Sequence, residues 1–432
     1  MNSPQSPRDR QNTEVRHAKS NFVSIALFQI FLRIGWIFKT ETVIMPAVLD
    51  LIGGGGWLRG YLPMLNRFGQ SIPGVLLSDQ IRNLPRKKFA LFLTTLAMGV
   101  CFLVLAGVWA ATDGKFVGMA WVFLIVYAIF FIATGLAQLL SNTLIGKLVV
   151  PTIRGKLAAT SSIVGGTIAV LSAWFLLQRW LGESSGRFEW IFGFTGLAFC
   201  VAAVVSLTLS ETVDTNPVEV KSIRSRLRCV LEPVKSDRNV RCLMILAGMF
   251  GMGIVLMPHY QNIARERLGL GLRSLIYWVI AQNIGASLLT IPLGWLADRA
   301  GNRIVLKLLM FMMCVIPLLA LGLSRMGKTG EFLFPVVFFL LGLTPIALRF
   351  LTNYTLEMTS RENHPLYLST LGLFVSVPVM ASSVILGALV DIAGFETVFL
   401  TIFCFLLCGF GMTFQLIEPR TRLSENEEPE LS

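Results

Sequence analysis

Along the chain, apolar stretches of about twenty residues or more alternate with short polar turns. They lie near 22–50, 55–78, 89–111, 118–141, 157–180 and 188–209 and, after a polar gap, near 240–262, 274–297, 304–324, 332–355, 366–388 and 394–416. Each is long enough to cross a hydrocarbon core of about 30 Å as a helix. The pattern predicts an all-α membrane protein with twelve transmembrane helices in two pseudo-symmetric six-helix bundles. Its expected divisions are an N-terminal tail over 1–21, a first bundle over 22–210, a basic linker over 211–239, a second bundle over 240–416 and a C-terminal tail over 417–432. The first tail reads as disordered, and the helix behind it as uncleaved, because it is longer than a signal peptide's apolar region and no small-residue cleavage site precedes it.

Composition agrees with this pattern. Over 432 residues, 54% are hydrophobic and only 14% charged, which excludes an ordinary soluble globule and makes the lipid bilayer the first partner. The net charge of +12 does not gather on one soluble module but punctuates the apolar runs, so no nucleic-acid partner is expected. Seven cysteines without CxxC or Cys/His ligand spacing argue against disulfides and structural zinc, and three scattered histidines against a metal site.

Lysine and arginine are retained on the cytoplasmic side of membrane proteins. With both termini inside, the inner loops collect Arg82, Arg86, Lys87 and Lys88, then Lys147, Arg154 and Lys156, then the linker cations. Trp57, Trp109, Trp121, Trp180 and Trp190 then fall at outer helix ends, where an amphipathic ring is favoured. The expected location is a bacterial inner membrane with both termini cytoplasmic.

After the eighth apolar segment stands Gly294-Trp-Leu-Ala-Asp298-Arg299-Ala-Gly301-Asn-Arg303. It resembles the G-x-L-a-D-R-x-G-x-R loop motif of the major facilitator superfamily. Asp79 and Arg82, followed by Arg86, Lys87 and Lys88, form a degenerate version in the first half, with one extra residue before the aspartate. Arg154-Gly155-Lys156 resembles that family's basic loop after the fourth segment, and the stretch from Asn353-Tyr354 to His364-Pro365-Leu366-Tyr367 is similar to a pattern in its uncharacterised bacterial members. The resemblance implies a twelve-helix fold around a central cavity and a gating role for the motif loop. An aspartate at a helix end can also face the positive end of a neighbouring helix, worth about 0.3–1 kcal/mol. The alternative is that the arginines only set topology.

Charge at mid-bilayer costs about 2.5–3.5 kcal/mol, so each such residue should face a cavity or a partner. At about 1.5 Å per residue, Arg33 lies roughly 17 Å above the inner boundary of the first helix, and Arg67 lies about as deep in the second. Gln29, Arg33, Trp36 and Thr40 share one helical face and read as a pore lining, with helix-packing ion pairs as the alternative for Arg33. Glu41 is a candidate coupling site for a proton or ion, although it and Lys39 can also snorkel to the outer interface. Gln282 and Asn283 are candidate solute contacts in the second half; His259, Gln261, Asn262 and Arg349 are weaker ones. The small residues Ala158, Ser162 and Gly166, and Ser382, Ser383 and Gly387, mark faces where helices can approach closely.

Gly322 to Thr329 matches the phosphate-loop pattern, but it lies between two apolar helices with no preceding strand, which argues against nucleotide binding. No paired acid/base or nucleophile motif suggests an enzyme. The sequence thus predicts a secondary transporter of a small solute, anionic or amphiphilic, working by alternating access without a cofactor or nucleotide. The alternative is a transporter-like sensor or scaffold.

Overall fold

The computed structural model describes residues 7–182, 186–214, 231–235, 237–359 and 363–418. Residues 215–230 and 236 of the expected linker, and 419–432 of the expected C-terminal tail, lie outside them. Among the described residues the regular structure is entirely helical. Ten stretches are long and apolar enough to cross a membrane, and the last runs for 52 residues. Its main helix, His364–Met412, would be about 74 Å long if straight, far more than one crossing needs. It is broken at Gly394, whose φ of 79° leaves the helical region and favours a residue without Cβ. The helix Gly56–Arg82 is 27 residues long but is not one of the ten, because Asn66, Arg67, Gln70 and Asp79 interrupt its apolar surface.

The chain forms two compact units. The first joins Met1–Lys39 to Ile72–Val220, the second Thr40–Ser71 to Lys221–Ser432. Residues 40–71, which the sequence pattern assigns to the first bundle, therefore group with the C-terminal residues.

In the first unit, α1 (Pro7–Phe38) packs along α6 (Pro151–Leu181) and α7 (Phe188–Leu207), and α4 (Lys87–Thr112) packs along α5 (Met119–Leu148) and α7. Helix α1 starts at Pro7, inside the stretch expected to be disordered: proline is favoured in a helix's first turn, and the following Arg, Gln, Glu and Ala are good helix formers. The core is aromatic. Phe102, Phe130 and Phe199 lie with ring centroids 5.0–6.1 Å apart. Two tryptophans expected at the membrane interface belong to this core: Trp109 packs on Phe188 and Phe192, and Trp180 on Phe38 and Phe194. Trp57, Trp121 and Trp190 are exposed.

The basic residues after α3 (Gly56–Arg82) have acidic partners the sequence reading did not assign. Backbone N–H groups of Lys87 and Lys88, at the start of α4, donate to the Glu211 carboxylate at 3.0 and 2.9 Å, an anion at a helix N-terminus. Lys87 Nζ reaches Asp214 at 2.5 Å and Lys147 Nζ reaches it at 2.9 Å. These hydrogen bonds, that from Lys87 foremost, hold the Asp214 carboxyl below its ordinary value.

In the second unit, α2 (Ile44–Leu51) lies against α9 (Met257–Leu268), and α8 (Arg238–Val255) against α16 (His364–Met412). Helix α10 (Ser274–Leu288) packs on α14 (Pro335–Leu341). Helix α11 (Thr290–Ala300) leads into α12 (Asn302–Leu323), which contacts α15 (Leu343–Glu357) and α16; α13 (Gly327–Leu333) is a short link. Several expected continuous spans are broken where proline removes a backbone donor, at Pro258, Pro292 and Pro335. A close approach joins α3 to α16: a Cβ at Gly60 would run into the Ser383 carbonyl oxygen, and one at Gly56 into that of Gly387. The Ser383–Gly387 stripe read from sequence is thus a contact face. Its counterpart on α6 is not: Gly165 meets α1, while nothing stands near Gly166.

Two outcomes follow for stability. Gly60→Val should cost about 1–3 kcal/mol through overpacking, read as a lower thermal midpoint of the detergent-purified protein, with Gly166→Val nearly silent. Because Asp214 has a depressed pKa when folded, its contribution is present above 3.8 and fades as pH falls through the lower folded value. The difference in thermal midpoint between wild type and Asp214→Asn should therefore hold constant well above pH 3.8 and shrink as pH falls below it.

Candidate functional site

The first apolar segment does not form one helix. Helix α1 ends at Phe38, residues 39–43 are turns, and α2 resumes at Ile44. The run Thr40-Glu41-Thr42-Val43 explains the break: β-branched residues are poor helix formers, and the Thr40 hydroxyl accepts from the Ile44 N–H at 3.2 Å. Thr40 therefore leaves the helical face on which the sequence placed it with Gln29, Arg33 and Trp36.

In the first unit, Gln29, Arg33 and Trp36 lie part-buried on α1. Arg33 sits beside Gly165 of α6, where a Cβ would come within 3.5 Å of its own. Trp36 belongs to a cation cage. Lys39 is 0% exposed, and its Nζ lies 3.8 Å from the Trp36 ring centroid, 4.3 Å from Phe131, 4.7 Å from Phe130 and 5.4 Å from Tyr127. Such desolvated contacts are worth about 2 kcal/mol or more. This overturns the expectation that Lys39 snorkels to an interface.

In the second unit, three residues singled out by sequence come together with partners that were not. Asn66 Nδ2 donates a short hydrogen bond to Glu41 Oε2, and Thr42 Oγ1 donates to Gln282 Oε1 at 2.8 Å. Arg67 follows Asn66 on α3, and Glu41 acts on it as an opposite charge. One turn further, the hydroxyls of Ser71 and Ser376 are 2.6 Å apart. Within this group Arg67 Nε, a donor, and Asn66 Oδ1, an acceptor, are buried without a hydrogen-bond partner. Asn283 takes no part: its Nδ2 donates to the Val279 carbonyl of its own helix at 2.8 Å.

A second polar group lies at the α2–α3 turn. Asp50 accepts from Arg59 Nε at 2.5 Å, Gln261 Nε2 at 2.8 Å and Arg265 Nη1 at 3.4 Å. The Gly56 N–H, at the start of α3, donates to Asp391 Oδ2 at 2.6 Å. Asp50, Asn66 and Asp391 escaped the sequence reading; Asn66 beside Arg67, two polar residues inside an apolar segment, was the available signal.

The motif loop forms the tight α11–α12 turn, with Gly301 at φ 83°. Gly294, Asp298, Arg349, Asn353 and Glu357 line a 430 Å³ cavity beside it. Arg299 stacks on Trp295 at 4.0 Å, and Arg303 Nη2 donates to the Phe414 carbonyl at 3.1 Å. In the first half, Asp79 and Arg82 lie in the last turn of α3, with Arg82 exposed. The phosphate-loop match is the helical turn from α12 into α13.

Long apolar helices, broken where polar groups pair inside the protein, define an all-α membrane protein. The family model of the Major Facilitator Superfamily matches residues 265–431. No curated protein sequence matches the chain. Among solved structures it is similar to the nucleoside transporter NupG, at 11% identity, with 92% of this chain and 99% of that one covered and a TM-score of 0.72. It is similar to a D-xylose–proton symporter, at 14% identity, 92% and 98% coverage and a TM-score of 0.65. A bacterial homologue of the human lysosomal transporter Spinster gives 12% identity, 94% and 98% coverage and 0.62. The chain has the major facilitator fold, and its C-terminal part carries the family's sequence pattern.

Removing the Glu41 charge leaves Arg67 without its opposing carboxylate. Glu41→Gln should therefore lower stability, and Arg67→Gln in the same background should restore part of the loss. A double-mutant cycle of thermal midpoints checks the sign of the coupling.

Proposed function

We propose that the chain is a secondary active transporter of a small solute and that the group around Glu41, Thr42, Asn66, Arg67 and Gln282 is its solute site. One observation carries this reading. Buried polar atoms nearly always have partners, yet here an arginine donor and an amide acceptor are both left open within one group. A solute offering a hydrogen-bond acceptor to Arg67 Nε and a donor to Asn66 Oδ1 would satisfy both. Because Glu41 already offsets the Arg67 charge, the site suits polar solutes as well as the anionic or amphiphilic ones suggested by the arginines alone.

In this reading Glu41 is also the coupling site: its neutralisation would weaken the bond from Asn66 and leave the Arg67 charge uncompensated, tying solute affinity to a proton gradient. Neutral Glu41 favours an acceptor-rich solute, ionised Glu41 its release. Gln29, Arg33 and Trp36 are further candidate solute contacts on α1, and the loops bearing Asp79, Arg82, Gly294, Asp298, Arg299, Gly301 and Arg303 gate access. Counting α3 as a span and the broken α16 as two gives twelve crossings. The basic loops favour a bacterial inner membrane with both termini in the cytoplasm.

The test is solute flux in proteoliposomes with an imposed pH gradient, screening nucleosides, sugars and small organic anions. Wild type should accumulate at least one class, Arg67→Gln should reduce that flux at least tenfold with folding intact, and Glu41→Gln should uncouple it from the pH gradient. Binding without flux across the panel would instead assign the chain as a sensor.

A further inference from the structure

Helix α11 lies between two cavities of opposite character. One face, through Gly294 and Asp298, borders the polar cavity described above. The other, through Leu289, Leu293, Trp295 and Leu296, lines a 340 Å³ groove completed by Leu309 of α12 and Leu340 of α14, with no charged side chain in its lining. The rim is apolar and open: Ile291 is 72% exposed, Leu288 56% and Trp295 54%. In a chain that spans a bilayer, such a surface meets lipid tails.

Arg299 gives the groove a polar end. Trp295 lines the groove and also carries the Arg299 guanidinium 4.0 Å from its ring centroid, so apolar lining and cation are contiguous. Arg299 is exposed, and among the described residues no carboxylate lies within ion-pair distance of it. Stacking fixes the plane of the guanidinium and leaves its N–H edge for an oxyanion, for which that planar fork is suited. Tryptophan and arginine at the end of a membrane helix belong at headgroup depth, where basic groups attract anionic lipid.

We propose that this groove binds one anionic phospholipid, an acyl chain lying along α11, α12 and α14 and the headgroup phosphate on Arg299. The site rests on the chain being in a membrane and not on solute transport, so a failed flux assay leaves it standing. It gives Arg299 a ligand outside the motif loop itself, and it places that lipid against the helix whose opposite face borders the polar cavity.

Native mass spectrometry of the full detergent-purified chain, titrated with phosphatidylglycerol or phosphatidylcholine of identical acyl chains, tests this. Wild type should bind phosphatidylglycerol about fivefold better. Arg299→Gln, a surface change, should lower it to the phosphatidylcholine level and leave phosphatidylcholine binding unchanged. Leu308 of α12 also lines the groove; Leu308→Trp, which fills it, should weaken both lipids, and circular dichroism checks its folding; the arginine arm does not depend on it. Equal binding of the two lipids by wild type, or an undiminished preference in Arg299→Gln, would overturn the proposal. So would displacement of phosphatidylglycerol by free glycerol phosphate at matched concentration, which would assign Arg299 to a soluble phosphate.

Discussion

Hydrocarbon offers no hydrogen-bond partner, so every polar group carried into it must be satisfied by the protein itself. The turns at 39–43 show how this is met. The chain stops being helical for five residues, and the polar groups set free are taken up at once: Thr40 by the Ile44 N–H, Glu41 by Asn66, Thr42 by Gln282. Lys39 is held by aromatic faces rather than water. The same accounting is left open at several buried atoms, Arg67 Nε and Asn66 Oδ1 among them, and the proposed solute site is where two of these fall in one group.

The same constraint shapes the helix ends. Carboxylates from distant segments serve exposed backbone donors, Asp391 at the start of α3 and Glu211 at the start of α4. Each interaction combines hydrogen bonding with the positive end of a helix. Close packing supplies the remainder. Without a hydrophobic drive between helices in lipid, small residues that let backbones touch are a principal source of association, and Gly56, Gly60 and Gly387 provide that contact in the second unit.

The all-helical class, the positions of the apolar segments and the motif at 294–303 were legible because each is a local or periodic signal. Helix breaks were less so: hydropathy averages over Thr40 to Val43, although their β-branched and polar side chains announce a weak helix. Arg67, Glu41 and Gln282 were found because charge or amide inside an apolar run is costly and therefore conspicuous. Asp50, Asp391 and Glu211 were overlooked because they sit at helix ends, where an acid is unremarkable until its partner in a distant segment is known. Trp109 and Trp180 do lie at helix ends, as read from sequence, but position along a segment does not say whether a ring faces neighbouring helices or lipid. The grouping of residues 40–71 with the C-terminal unit is a tertiary fact with no counterpart in sequence periodicity.

The opposite charges of Glu41 and Arg67 have an electrical consequence. A membrane potential does work on net charge, about 2.3 kcal/mol per elementary charge per 100 mV. An acid and a base that stay together form a dipole with no net charge, so the ionised site adds no monopole charge of its own to movement across that field. Current accompanying a transport cycle would then count only the charge of the solute and any ion travelling with it, which makes this chain a candidate for reading stoichiometry directly from voltage.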